Sequence, residues 1–278
     1  MHPPLACTVR GCGRPLMPAG RHLSCDGGHS FDIARSGYIS LLQPQDRRSS
    51  APGDSKETVA ARRRLLDAGV GRAAIEAIVA HAPPLAASVV ADLGCGSGEL
   101  LGALAEGRDI CGVGIDLSSA AAEAAARRFP APTWVVANAD RRLPLLDGSV
   151  HLITSLNGRR NPEECARVLA PGGALIVAVP APDDLKELRE RIYGESARRN
   201  RADDVGADHA ARFSVIERFT VRSHHHLQGD ALRDLLRGTY RGARSRDAER
   251  VAALTDLDLT VATDVVVMAP RGISSTGG

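Results

Sequence analysis

Residues 88–101 read SVVADLGCGSGELL. A short apolar run ends in a glycine-rich turn, and a leucine pair follows. That is strand, loop, helix. The glycines fall at Gly94, Gly96 and Gly98. A dinucleotide fingerprint needs a further glycine at 99, where this chain has Glu99, so a nicotinamide enzyme is disfavoured. The G-x-G-x-G form with Asp92 just upstream suits S-adenosylmethionine. Backbone must approach the methionine part of that ligand closely, and side chains would block it. Asp92, Gly94, Cys95, Gly96 and Gly98 are therefore candidate cofactor residues; the bland alternative is a tight turn.

Outward from this stretch the chain alternates. Apolar runs lie near 110–115, 133–137, 150–156 and 173–180, with helical patterns near 98–106, 118–129, 161–169 and 183–194. This rhythm predicts an α/β, Rossmann-like domain, a parallel sheet with helices on both faces. Upstream, 57–81 is helical with a break at Gly69. Downstream, 204–212 reads as polar, then come a strand at 213–222, helices at 229–237 and near 245–254, and a strand at 258–268. The expected organisation is a head over 1–45, a linker and helical segment over 46–82, the α/β domain over 83–270 and a tail over 271–278.

In such a sheet, ligands bind beyond the carboxyl ends of the strands. The second strand ends at Asp116-Leu117, an acid placed to accept hydrogen bonds from ribose hydroxyls. Ser118 reads as a helix cap. The third ends at Asn138-Ala139-Asp140, where Asn138 could meet an adenine edge, with Leu143 beside the ring. The competing reading of Asn138 and Asp140 is a turn-capping pair. The fourth ends in SLNGRRNPEE (155–164). There Asn161 and Pro162 have the chemistry of a helix start, which leaves Asn157, Arg159 and Arg160 with spare functional capacity.

The head carries a second constellation. Cys7 and Cys12, then Cys25 and His29, form two pairs at ligand spacing. Zinc takes four tetrahedral N/S ligands, and glycine-rich turns supply them in pairs. So small a head cannot bury enough apolar surface alone, so a metal must help fold it. Four ligands leave no open position, which predicts a structural rather than catalytic ion. His22 is an alternative to His29.

The 278 residues are 44% hydrophobic and 24% charged, enough for a real core and too ordered in composition for a disordered chain. Net charge is only +2. Yet arginines cluster at 47–48, 62–64, 127–128, 141–142, 159–160 and 198–199. Such clusters suit phosphate, or merely solvated helix faces. No leader or membrane-spanning pattern is visible, so a cytoplasmic protein without a membrane partner is expected. Cys95, Cys111 and Cys165 read as small packing residues. His224-His225-His226 alternate faces on a strand and cannot converge on one ion.

Beyond these motifs the sequence resembles the bacterial 23S rRNA guanine-N1-methyltransferases, a family that includes tylosin-resistance enzymes. The resemblance rests on the cysteine head, FDIARSGYISLL, PGDSKETVAARRRLLDAG, DLGCGSG, RLPL and RNPEECARVLAPGGALIVAVP. Phe31–Gly69 is its most specific part. It implies a zinc ribbon gripping an rRNA hairpin, a class I methyltransferase domain holding S-adenosylmethionine, often a homodimer, and N1 of a guanine in the helix 35 region as acceptor. The fourth strand tip would then face the methyl group. The family pattern there is an aromatic followed by Ala-Pro; here it is Asn157-Gly158-Arg159. Asparagine cannot stack on a flipped base but can hydrogen-bond its edge. Candidates to handle the N1 proton or polarise the base are Asn157, Arg160 and Asp140, with Arg159 beside them. Arg47, Arg48, Arg62 and Arg63 would engage phosphates. The alternatives are a small-molecule methyltransferase with the ribbon as lid, and a catalytically inactive RNA-binding relative.

Overall fold

The computed structural model describes residues 2–44, 53–194, 200–239 and 254–271. The head is a three-stranded antiparallel sheet, β1 (Met17–Ala19), β2 (His22–Ser24) and β3 (Ser30–Asp32), followed by the two-residue strand β4 (Ile39–Ser40). Two helices follow, α1 (Lys56–Asp67) and α2 (Arg72–His81). Ser55 caps α1 by accepting from the Thr58 amide, and Gly69 lies between the helices at φ 92°. The break expected at Gly69 is thus a left-handed turn that other residues adopt only with strain.

The main domain then alternates as β5 (Ser88–Leu93), α3 (Glu99–Ala105), β6 (Ile110–Asp116), α4 (Ser119–Arg128), β7 (Thr133–Val136), β8 (Val150–Leu156), α5 (Pro162–Val168) and β9 (Leu169–Pro180). It continues with α6 (Lys186–Tyr193), α7 (Arg201–His209), β10 (Phe213–Gln228), α8 (Gly229–Thr239) and β11 (Asp256–Pro270). All six β5 residues are buried, as a strand covered on both faces requires. Asn161 caps α5, accepting from the Glu163 and Glu164 amides, with Pro162 in the first turn.

The sheet order is β10-β11-β9-β8-β5-β6-β7-β4. β5 pairs in parallel with both β6 and β8, so the strand order reverses there and a crevice opens above its carboxyl end.

Three features go beyond the local sequence pattern. The strands β5 to β9 pair in parallel as expected, and β11 extends the sheet by inserting antiparallel between β9 and β10. The polar stretch near 204–212 is largely helix α7, capped by Asn200 and buried through Ala202, Val205 and His209. The head is continuous with the main sheet: Ile39 and Ser40 extend it beside Val135 and Val136. Leu5, Leu16, Phe31 and Leu41 also share one core with Val113, Ile115 and Leu145. The expected helix near 245–254 falls almost entirely outside the described residues, as do Arg47, Arg48, Arg198, Arg199 and all but the first residue of the tail.

Candidate functional site

A cleft of about 1240 Å³ opens at the carboxyl ends of β5, β6, β7, β8 and β9. That exceeds the usual volume for one small ligand, about 300–1,000 Å³. Asp92, Gly94, Cys95, Gly96, Asp116, Leu117, Asn138, Ala139, Asp140, Asn157, Gly158 and Arg159 all line it. The sequence reading therefore gathered residues from four strand tips that do share one cavity.

The glycine loop is built from positive-φ turns at Gly94 (74°), Gly96 (54°) and Gly98 (90°). Gly98 caps α3, and a Cβ on it would stand 2.6 Å from the Trp134 ring. Asp116 clasps the loop from β6. Its carboxylate accepts from the Gly96 amide at 3.0 Å and from the Ser118 amide at 2.8 Å. Burial raises the Asp116 carboxyl above its ordinary value, against the pull of those amides and of Arg62. Asp92 lies beneath the loop, only 2% exposed, accepting from the Thr154 hydroxyl at 2.8 Å. Burial pushes its carboxyl up to about 7. Ser118 caps α4 as expected and also donates to the Asp54 carbonyl at 2.6 Å.

Asn138 accepts from the Asp140 amide at 3.0 Å, the geometry of a turn-capping pair, while still lining the cleft. Leu143 is 1% exposed in the core, away from the cleft lining, so its expected place beside an adenine ring is corrected. Asn157 sits at φ 58°, a left-handed conformation that asparagine tolerates better than most residues. Asp140 pairs with Arg159 at 3.1 Å. Arg160 donates to the Gly158 carbonyl and does not line the cleft; burial lowers its guanidinium, against the pull of nearby Cys165 and Asp208.

Sequence reasoning missed the roof and the far wall. Arg62 of α1 donates from Nε and Nη2 to the Gly238 carbonyl of α8, at 3.0 and 2.8 Å, and pairs with Asp54. It also lines the cleft. The far wall holds Asp184, Arg189 and Arg201. Only the position of Asp184 just past β9 could have announced it.

At the head, the ligand atoms of Cys7, Cys12, Cys25 and His29 lie within 4.8 Å of one another. Cys12 Sγ is 3.8 Å from Cys25 Sγ, and His29 Nδ1 is 3.4 Å from the sulfurs of Cys7 and Cys25. A tetrahedron with Zn–S of about 2.3 Å has edges near 3.8 Å, so the set fits zinc. A Cβ on Gly27 would lie 3.4 Å from Cys25 Sγ, which makes a small residue the natural choice there. His29 rather than His22 completes the set. Each histidine of 224–226 has its own partner: Thr260, Ser223 and Asp258.

An alternating α/β sheet with a reversed strand order, a clasped glycine loop and a three-cysteine, one-histidine head defines the class: an S-adenosylmethionine-dependent, class I methyltransferase carrying a zinc ribbon. A methyltransferase domain model matches residues 90–173, and the model described as RlmA, N-terminal, a zinc ribbon, matches residues 6–50. The 23S rRNA (guanine(748)-N(1))-methyltransferase of Streptomyces fradiae is 34% identical over 226 residues, 80% of each chain. A Micromonospora griseorubida protein, provisionally named a 23S rRNA (guanine-N(1)-)-methyltransferase, is 36% identical over 211 residues, 68% of this chain and 70% of its own. The chain belongs to the 23S rRNA (guanine-N1)-methyltransferase family. Among solved structures, a provisionally named methyltransferase from Bacillus halodurans shares the fold, with TM-score 0.52 at 14% identity over 70% of this chain and 97% of its own. No helix among the described residues is long and apolar enough to cross a membrane.

Proposed function

We propose that this chain methylates N1 of a guanine in 23S rRNA. Bound S-adenosylmethionine supplies an already activated methyl group, so the protein's task is positioning and proton handling. Gly94, Cys95 and Gly96 let backbone close around the methionine part, with Asp92 bracing the loop from below; Gly98 is outside the cleft lining and turned to Trp134, and it shapes the loop's exit into α3. Asp116 and Leu117 take the ribose, and Asn138 and Ala139 the adenine edge. Asn157 faces the incoming base, with the Asp140–Arg159 pair standing beside Asn138. Cys7, Cys12, Cys25 and His29 hold zinc, and the ribbon so folded presents the RNA.

The observation that carries this reading is the two-ended character of one cleft. Glycine amides and Asp116 line the end at β5 and β6, while Arg189 and Arg201, from the helices after β9, line the other. The first suits an adenosyl ligand, the second a polyanion. Binding to RNA should weaken steeply with salt, since phosphate contacts release counterions. A homodimer is also part of this reading, supported by β10, a sheet-edge strand with Ile216 66% exposed; light scattering tests it.

The decisive experiment uses zinc-loaded protein, labelled S-adenosylmethionine and unmodified 23S rRNA, with digestion to nucleosides and mass spectrometry. The expected product is 1-methylguanosine. Transfer confined to a small metabolite would establish the lid alternative instead, and failure to bind the donor the inactive one.

A further inference from the structure

Resting on that reading, the geometry points to Asp184 as the base that takes the N1 proton of the guanine. N1 of guanine carries a hydrogen, so methylation there must release it. The nitrogen–carbon bond forms, the carbon–sulfur bond breaks with its electron pair leaving on sulfur, and the proton passes to a carboxylate oxygen of Asp184 and then to solvent.

The cleft lining contains no histidine or lysine among the described residues, and its acids are Asp54, Asp92, Glu99, Asp116, Asp140 and Asp184. Five are committed elsewhere. Asp54 pairs with Arg62 and Asp140 with Arg159. Glu99 accepts from the Ser97 hydroxyl at 2.8 Å, and Asp116 clasps the glycine loop. Asp92 lies under that loop, bonded to Thr154. Asp184 differs. Its Oδ1 accepts from the Ala262 amide of β11 at 2.9 Å, which fixes the side chain, and no described residue donates to Oδ2.

Its placement is also apt. Asn157 donates its amide to the Ala178 carbonyl of β9 at 2.9 Å, and Asp184 follows β9 a few residues on, its own amide bonded to the Ala181 carbonyl at 3.0 Å. Asp184 therefore stands beyond the strand next to the Asn157 loop, on the side away from Asp116 and Asn138. A base held between Asn157 and this wall would have the ribose end of the cleft behind it. The charged groups facing Asp184 are Arg189 of α6 and Arg201 of α7, which favour its ionised form, and neighbouring Asp183, which opposes it and is itself tied to Arg222 of β10 at 2.8 Å. Burial outweighs the arginines and lifts the carboxyl to about 6. A base works best when its affinity for protons lies near the working pH.

The test compares wild type with Asp184→Asn on an rRNA fragment, after mass spectrometry has identified the wild-type product. If that product is not 1-methylguanosine, the functional reading fails first, whatever the variant does. Given 1-methylguanosine, D184N should lose about 10²–10⁴ in kcat, the usual range for general-base catalysis. KM for the RNA and Kd for S-adenosylhomocysteine, by calorimetry, should stay within about threefold of wild type. Wild-type kcat should rise with pH through about 6 and level off. That limb should vanish in D184N, whose residual rate should keep climbing with hydroxide. Asp184→Glu should recover part of the loss, and it replaces D184N if that variant melts early. A kcat for D184N within about fivefold of wild type overturns the assignment. So does a loss that disappears at saturating RNA.

Discussion

Gly94 and Gly158 meet backbone to backbone: a Cβ on Gly94 would stand 2.7 Å from the Gly158 Cα. A Cβ on Gly158 would stand 2.1 Å from the Leu93 carbonyl oxygen. The Asn-Gly-Arg-Arg loop after β8 is thus locked against the glycine loop after β5. Gly158→Ala should shift backbone on both sides and destabilise the protein by about 3 kcal/mol or more. Gly96→Ala differs, since its Cβ would meet nothing within 4 Å at a residue lining the cleft. At φ 54° it should cost about 1–2 kcal/mol and mainly impair donor binding. Thermal melts beside calorimetry with S-adenosylhomocysteine check the pair; equal destabilisation by both would contradict the contrast.

Asp92 makes stability depend on pH in a definite direction. Its folded carboxyl is lifted to about 7 by burial, while an unfolded aspartate titrates near 3.8. Between those values the native state binds the extra proton, so stability contributed by this group falls as pH rises. The penalty is complete above about 7, with a ceiling on the order of 4 kcal/mol. Asp92→Asn keeps an oxygen for the Thr154 hydroxyl and carries no charge. Its melting temperature should overtake wild type progressively from pH 5 to 8.5. A constant gap across that range would mean the carboxyl is ionised throughout.

Much of this was legible locally. Apolar runs and glycine turns marked β5 to β9, and cap chemistry at Ser118 and Asn161 marked two helix starts. The missing parts are those that no local pattern encodes. Ile39 and Ser40 are too few for periodicity, yet they complete the sheet edge beside β7. Nothing in residues 256–270 says that they pair between β9 and β10. Helix α7 looked polar because only one face, with Ala202 and Val205, is buried. At the site, the strand tips announced their own acids. The Arg62 bond to Gly238 joins residues far apart in the chain, and Asp183-Asp184 reads as an ordinary turn until Ala262 is seen to hold it.

The shared core makes a prediction about the metal. Cys7 and Cys25 pack in the same cluster as Val113, Val135 and Leu145. The Ala6 amide also donates to the Pro144 carbonyl, and the Leu41 amide to Val136. Stripping zinc, or replacing Cys25 with Ser, should therefore lower one cooperative melt of the whole protein. Atomic absorption should give one zinc per wild-type chain and none in C25S. A separate early transition with the main melt unmoved would show instead that the head unfolds on its own.

Arg62 joins three elements above the adenosyl end of the cleft: its own α1, Gly238 of α8, and Asp54, whose carbonyl takes the Ser118 hydroxyl. Burial lowers the Arg62 guanidinium while Asp116 pulls it back up, so each charge steadies the other. Lysine cannot reproduce the forked donation. Arg62→Lys should raise Kd for S-adenosylhomocysteine about tenfold, about 1.4 kcal/mol, and Arg62→Ala by more. Without the guanidinium, Asp116 rises further and gains its proton at higher pH, where a neutral carboxyl accepts ribose hydroxyls less well. The deficit in R62A should therefore deepen along a descending range of pH. Calorimetry across that range measures it directly; a pH-independent deficit would leave Arg62 a purely mechanical tie, and an R62K affinity equal to wild type would remove it from the cofactor site altogether.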